Sequence, residues 1–163
     1  MRKSNLQTPQ LNLSDFEDKS LLIVDDDDPL RGRLSRAMEK KGFVVKEAKS
    51  VAEGLEIVKK TPPNFAVVDL RLDDGNGLDV IKELSKIKSD SRIVMLTGYG
   101  NLPTAVAAVK AGAIDYIAKP VDADDVESAL LADPEPKAKP PENPMSADRV
   151  KWEHIHRVFE LCN

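Results

Sequence analysis

Cysteine, aromatic side chains and long apolar runs are all scarce in this sequence. The one cysteine, Cys162, has no partner among the 163 residues, so an internal disulfide framework is excluded and a reducing compartment is favoured. Aromatic residues make up 4% of the chain, too few for a surface that stacks nucleic-acid bases. The first twenty residues contain only isolated apolar side chains, which predicts neither a signal peptide nor a membrane span. We therefore expect a cytoplasmic protein with no membrane partner.

An excess of positive charge is absent as well. The chain has 24 Lys and Arg against 28 Asp and Glu, a net charge of −4, so it has no general attraction for nucleic acid or anionic lipid. At roughly 150 residues per domain, the length allows one full domain and a short remainder. A domain of this size buries about 70% of its unfolded surface and needs neither disulfides nor a structural metal to fold.

Five short apolar runs alternate with segments that have helical signals. The runs lie at 21–24, 43–45, 65–68, 93–96 and 113–118 and are typical of buried strands. The first helical segment has Pro29 near its start, with Asp28 expected as its cap. Strict β/α alternation builds a mostly parallel sheet with helices on both faces. The pattern predicts an α/β domain at residues 19–133.

The segments outside this domain have a different composition. We expect residues 1–18 to be a flexible N-terminal segment. Five of the eleven prolines fall within residues 134–145, which predicts an extended linker. Residues 146–163 are predicted to form one amphipathic helix, because apolar side chains recur there at helical spacing; these are Trp152, Ile155, Phe159 and Cys162.

Polar side chains stand at the ends of four predicted strands. Asp25 to Asp28 follow the first, Asp69 follows the third, Thr97 ends the fourth and Lys119 follows the fifth. In an open parallel sheet these ends share one edge, where ligands bind. Clustered carboxylates repel one another and need a cation, and an oxygen-only donor set suits Mg²⁺. Asp69 is placed to act as a nucleophile that forms an aspartyl phosphate, with Lys119 and Thr97 facing the phosphoryl oxygens.

Four motifs at these strand ends resemble the receiver domain of two-component response regulators over residues 19–133. They are IVDDDDP, VVDLRLDDGNG, VMLTGYG and DYIAKP. The resemblance implies a flavodoxin-like, doubly wound sheet of five parallel strands in the order 2-1-3-4-5. It also implies that a sensor histidine kinase phosphorylates Asp69, and that Mg²⁺ is held by Asp25, Asp26, Asp69 and the backbone carbonyl of Arg71.

The same resemblance assigns roles on the far side of the acceptor. Thr97 and Lys119 match the family's conserved hydroxyl and lysine, which assist phosphoryl transfer and act in the switch. Tyr116 matches the aromatic residue that rotates when the domain is activated. One departure is Asp73, since many receivers carry proline four residues after the acceptor.

Longer stretches resemble more narrowly the RegA/PrrA/ActR group of redox- and acid-responsive transcription regulators. They are DLRLDDGNGLDVI, LTGYGNLPTAVAAVKAGAIDYIAKP and DADDVESALL, followed by the proline-rich linker. In that group the linker leads to a Fis-like helix-turn-helix domain. The resemblance implies that residues 146–163 are the first helix of a truncated output domain and that DNA is contacted only through the missing helices. We expect a homodimer when the receiver is phosphorylated.

Two other functions compete with a regulator of DNA binding. A haloacid-dehalogenase-type phosphatase would use Asp25 and Asp27 as its acid pair. That family has no use for Asp69, however, and needs a later acidic pair at a strand end, whereas Asp124 and Asp125 fall inside the last predicted helix. The second alternative is a stand-alone receiver that acts purely as an interaction module, and the linker and the C-terminal helix argue against it. For the helix itself, the alternative to an output domain is docking on its own receiver.

The histidines and the cysteine are assigned no chemistry. His154 and His156 are two residues apart and face different sides of the predicted helix. Cys162 lies on the apolar stripe, with no neighbouring charge in sequence that would lower the pKa of its thiol.

Overall fold

The computed structural model describes residues 11–98 and 102–132 of the chain. The linker predicted at 134–145 and the helix predicted at 146–163 lie outside these residues and stay predictions, as does the conformation of residues 1–10. Within the described part, no helix is long and apolar enough to cross a lipid bilayer.

Apart from two short strands that follow the third strand, strands and helices alternate along the described residues, as the apolar pattern predicts. The elements are β1 (Ser20–Val24), α1 (Asp28–Lys40), β2 (Val44–Ala48), α2 (Val51–Lys60), β3 (Phe65–Asp69), β4 (Arg71–Leu72), β5 (Gly75–Asn76), α3 (Leu78–Ile87), β6 (Arg92–Thr97), α4 (Leu102–Ala111), β7 (Asp115–Ala118) and α5 (Ala123–Leu130).

Five of these strands form one parallel sheet in the order β2-β1-β3-β6-β7. The two-residue strands β4 and β5 pair separately as an antiparallel hairpin. Without that hairpin the strand order is 2-1-3-4-5, so the predicted flavodoxin-like order is confirmed. The chain runs outward in opposite directions from β1 and β3, and the carboxyl ends of these two strands mark the crevice where such sheets bind ligands.

The central strands are buried on both faces by different helices. In β1, Leu22 and Val24 pack in one cluster with residues of α2, α3 and α4. The alternate residues Leu21 and Ile23 pack in a second cluster with residues of α1 and α5. Because successive strand side chains point to opposite faces, a strand covered on both sides is apolar throughout. This explains the continuous apolar runs of the sequence.

The start of α1 differs by one residue from the predicted cap. The N-cap is Asp27, whose carboxylate accepts a hydrogen bond from the Leu30 amide at 3.1 Å, and Asp28 is already the first helical residue. Pro29 has no amide hydrogen to donate to a cap. The next amide belongs to Leu30, and this is the one that the Asp27 side chain satisfies. In α2 the predicted cap is present, with Ser50 accepting from the Glu53 amide at 3.1 Å.

Residues 11–18 pack on the domain, whereas the sequence predicts a flexible segment over 1–18. A 3-10 helix at Leu13–Asp15 buries Leu13. The Phe16 ring meets the Phe65 ring edge-on, with centroids 5.1 Å apart, and the Leu11 amide donates to the Leu131 carbonyl at 2.8 Å. Isolated apolar residues produce no periodic signal, so their docking is a tertiary property.

Candidate functional site

Three carboxylates meet at the carboxyl edge of the sheet. Asp25 follows β1 directly and Asp69 is the last residue of β3; the register aligns Val24 with Val68, so the two acids are neighbours. Each of Asp25, Asp26 and Asp69 offers an oxygen within 4.8 Å of the others. Asp25 is 1% and Asp69 5% exposed. The structure therefore brings together the three acids that the sequence places at this edge.

Lys119 brings the one positive charge that the described residues direct at this pair of buried acids. Its Nζ lies 3.2 Å from Asp69 Oδ2 and 3.3 Å from Asp25 Oδ2. The backbone fixes its position, since the Lys119 amide donates to the Thr97 carbonyl at 2.8 Å. The structure therefore brings the lysine after the last strand to Asp69, at the edge where the sequence places both residues.

The site carries more negative than positive charge. Burial, followed by the charge of Asp25, raises the pKa of Asp69 to about 6, although Lys119 opposes this shift. Burial alone would lower the pKa of Lys119, but the neighbouring Asp69 and Asp25 raise it, so the ammonium keeps its proton. A carboxyl group whose ionised form is disfavoured by burial and by a neighbouring negative charge indicates a place where an added cation is favourable.

The donor set fits a hard divalent cation. Asp25 Oδ2 is buried and accepts no hydrogen bond from the described residues; its near neighbour is the Lys119 ammonium. Three carboxylates within reach of one ion, without a soft ligand, are the donors that Mg²⁺ prefers. Arg71 begins β4 two residues after Asp69, so its backbone is close in sequence, and its carbonyl as a fourth ligand stays a prediction.

Arg31, which the sequence analysis does not single out, holds the first acidic turn in place. Its Nη1 donates to the Asp25 carbonyl at 2.7 Å. The same guanidinium pairs with Asp28 at 2.7 Å and Glu47 at 2.9 Å. Burial opposes the charge of Arg31, but the two carboxylates more than offset it and raise its pKa. The sequence could have indicated Arg31 by its position, two residues after Pro29 on the turn of α1 that faces the site.

Gly77 is a second residue that sequence reasoning missed. A Cβ at this position would collide with the carbonyl oxygen of Asp69, and it would also crowd Val68. The Gly77 amide donates to the Leu70 carbonyl at 2.7 Å. Only a residue without a side chain lets α3 start this close behind Asp69. The signal was the second glycine of the Gly-Asn-Gly sequence.

Thr97 and Tyr116 lie on β6 and β7, the two strands beyond β3. Thr97 ends β6, is 1% exposed and aligns with Ala118 of β7. Tyr116, two residues before Ala118, is half-buried and packs on the cluster that faces α2, α3 and α4. Burial, followed by the charge of Asp115, raises the pKa of its hydroxyl. Thr97 thus stands at the end of its strand, as the sequence predicts, and the switching role of both residues stays a prediction.

The geometry does not favour the phosphatase alternative. The carboxylate of Asp27, one half of the acid pair that this alternative requires, caps α1. Asp124 and Asp125 lie in the first turn of α5, as predicted, and not at a strand end. Lys119 contacts Asp69, for which that alternative has no use, as closely as it contacts Asp25.

Comparison with known proteins agrees with this arrangement. Residues 21–131 match the response regulator receiver domain family. The chain is 62% identical over 146 residues to the photosynthetic apparatus regulatory protein RegA of Cereibacter sphaeroides, covering 90% of this chain and 79% of that protein. It is 61% identical over 145 residues to the acid tolerance regulatory protein ActR of Rhizobium meliloti, covering 89% and 75%.

A solved structure has the same fold and a modified acid. The crystal structure of a response regulator protein from Burkholderia pseudomallei contains a phosphorylated aspartic acid, a calcium ion and citrate; it is 37% identical, with a TM-score of 0.69, over 90% of this chain and 86% of that one. The family match, the relatives and the sheet order agree. The chain therefore belongs to the response regulator receiver domain family and is a two-component response regulator of the RegA/ActR type.

Proposed function

We propose that this receiver takes a phosphoryl group from a histidine kinase onto Asp69, with Mg²⁺ bound beside it, and that phosphorylation controls a DNA-binding output. One observation carries the proposal. Asp69, the last residue of β3, lies beside two other carboxylates, and Lys119 Nζ is 3.2 Å from its Oδ2. The Burkholderia protein, whose aspartic acid is phosphorylated and which holds a calcium ion, supports the same chemistry here.

In the proposed transfer, an Asp69 carboxylate oxygen attacks phosphorus as the bond from phosphorus to the kinase histidine nitrogen breaks, and the imidazole leaves. Asp25, Asp26 and Asp69, with the Arg71 carbonyl, would hold the cation. When bound, Mg²⁺ supplies positive charge that offsets the phosphoryl oxygens and the clustered acids. Lys119 faces a second phosphoryl oxygen through its ammonium, and the Thr97 hydroxyl donates to a third. Water later removes the phosphoryl group, so the domain switches and does not turn over an external substrate.

The output is proposed to follow from a change at the β6–β7 side. Movement of Thr97 toward the phosphoryl group leaves room for Tyr116 to turn inward, which changes the surface formed by α4, β7 and α5. A phosphorylated homodimer would form through this surface, because only contacts that differ between the two states shift association. DNA contact is assigned to a helix-turn-helix domain that follows the linker in a longer protein.

The proposed function is tested by weighing the intact protein after incubation with a small phosphodonor. With Mg²⁺ we expect the mass of one phosphoryl group to be added, and with a chelator in its place we expect almost none. A protein that gains no mass at any donor concentration would contradict the proposal. Turnover of a phosphate monoester beyond one equivalent would instead favour a phosphatase.

Asp26→Ala should weaken Mg²⁺ binding strongly. Loss of an outer partner of a metal ligand already costs roughly 10- to 100-fold in affinity, and a direct ligand should cost at least as much. Titration with Mg²⁺, followed by amide chemical shifts, measures this, and Asp90→Ala is the control because Asp90 is exposed and precedes β6, at the opposite edge of the sheet. Equal affinity in all three proteins would place the metal elsewhere.

Thr97→Ala should uncouple phosphorylation from association. Light scattering with and without a phosphoryl mimic should give a mass increase for the unaltered chain and little or none for the variant, since the variant lacks the hydroxyl that responds to the phosphoryl group. Identical masses for both proteins in both states would contradict the switch.

A further inference from the structure

The loop between β3 and α3 is tied down on two sides. Its residues form the hairpin of β4 and β5, and Leu72 within it is buried in the same cluster as Val51, the first residue of α2. The loop therefore spans from the carboxylate site to a neighbouring helix as a folded connection.

On the site side, the loop contacts a predicted metal ligand. The Asp73 amide donates a hydrogen bond to Asp26 Oδ2 at 3.1 Å. Proline at position 73 would have no amide hydrogen to donate, so this hydrogen bond depends on the residue at that position being one other than proline.

On the helix side, the Asp74 carboxylate accepts hydrogen bonds from two backbone amides of α2. Asp74 Oδ1 accepts from Val51 at 2.8 Å and Oδ2 accepts from Ala52 at 3.1 Å. The first amides of a helix have no partner within it, and a negative charge near them is favourable. These hydrogen bonds lower the pKa of Asp74, so it is ionised at neutral pH. Ser50, the cap of the same helix, takes the next amide, that of Glu53.

We propose that Asp74 is a positioning residue for the metal site: by docking the loop onto the first turn of α2 it fixes the Asp73 amide, which in turn orients the Asp26 carboxylate. The inference rests on the proposed binding of Mg²⁺ and adds a route by which α2 and the metal site affect each other. Groups that hydrogen-bond to metal ligands set ligand orientation and metal affinity. Asp26 is not fully buried, so without this hydrogen bond its carboxylate is free to turn into solvent.

A purely structural role for Asp74 leads to a different expectation. A residue that only caps α2 contributes to the stability of the domain and leaves the cation affinity unchanged. Ser50 provides the matched comparison, because its side chain caps the same helix without contacting the loop.

The test is a titration of the full 163-residue chain with Mg²⁺ alone, followed by calorimetry or amide chemical shifts. We expect Asp74→Ala to weaken Mg²⁺ binding on the order of tenfold and Ser50→Ala to leave it unchanged, although urea unfolding should show that both variants lose stability. The effect of Asp74→Ala should persist at moderate salt, because a mere loss of surface charge would be screened. Equal affinity of Asp74→Ala and the unaltered chain, or a difference that disappears with salt, would overturn the inference.

Two further variants isolate the hydrogen bond itself. Asp73→Ala keeps the amide hydrogen at this position and Asp73→Pro removes it. The proline variant should therefore bind Mg²⁺ more weakly than the alanine variant. By reciprocity of coupled sites, Mg²⁺ should also slow hydrogen exchange at the Val51 and Ala52 amides. Exchange there that does not respond to bound Mg²⁺, or equal affinities for the two Asp73 variants, would overturn the coupling. If the unaltered chain binds no Mg²⁺, the proposed function fails and this inference fails with it.

Discussion

Asp69→Asn is expected to abolish phosphoryl acceptance completely, because the amide that replaces the carboxylate has no nucleophilic oxygen of comparable strength. Asp69 is the acid that both ends a central strand and meets Lys119 at 3.2 Å. Its raised pKa, about 6, still leaves it mostly ionised above pH 7, and bound Mg²⁺ would favour the ionised form further. Intact-mass measurement after incubation with a small phosphodonor and Mg²⁺ is the readout.

The control for this experiment is Asp90→Asn, which removes one exposed carboxylate far from the site. It should gain the same mass as the unaltered chain. An undiminished phosphoryl mass on Asp69→Asn would mean that another residue is the acceptor, and peptide mapping would then identify it.

Lys119→Met is expected to lower the free energy of unfolding of the metal-free protein at pH 8 by about 3 kcal/mol. The lysine lies within 3.3 Å of two buried carboxylates, and its removal leaves their charges without compensation. The exposed Lys82, on α3, provides the control variant Lys82→Met, which should change stability little. Urea unfolding with a chelator present measures the difference, and added Mg²⁺ should recover much of it, since the cation replaces the lost positive charge.

The same variant should depend on pH in a defined direction. A carboxyl whose pKa is higher in the folded than in the unfolded state stabilises the fold below its ordinary pKa of 3.8, and this contribution is lost as pH rises through about 6. The metal-free chain should therefore be less stable at pH 8 than at pH 5, and Lys119→Met should widen that difference, because at pH 5 Asp69 is largely protonated. A cost that is the same at both pH values would show that Lys119 acts through packing rather than through charge.

Local patterns in the sequence were sufficient to predict a parallel sheet and the meeting of the acidic residues at one of its edges. Continuous apolar runs identify strands covered on both faces, and the strict alternation with helices leaves few arrangements of the chain. Once the sheet is parallel, Asp25, Asp69 and Lys119 necessarily share one edge, so their meeting follows from their positions after the strands. The limits of the two edge strands differ from the predicted runs. The structure has β2 at Val44–Ala48 and β7 at Asp115–Ala118, whereas the apolar runs lie at 43–45 and 113–118. A strand at the sheet edge carries polar residues, so its apolar pattern does not mark its ends.

Tertiary packing alone decided other features of the domain. The docking of Leu13 and Phe16 depends on a surface assembled from distant elements, and the collision that restricts position 77 to glycine exists only when α3 starts behind Asp69. The contacts of Asp73 with Asp26 and of Asp74 with α2 span 47 and 23 residues of sequence, and no local periodicity records such pairs. The sequence by itself determined the parallel sheet with its helices, the acid cluster and the shared edge with the lysine, since each follows from short-range patterning, whereas the strand order was implied by the family resemblance. Only the folded chain decided which backbone amides hold those acids in place, because hydrogen-bond partners are chosen by the three-dimensional proximity of the segments.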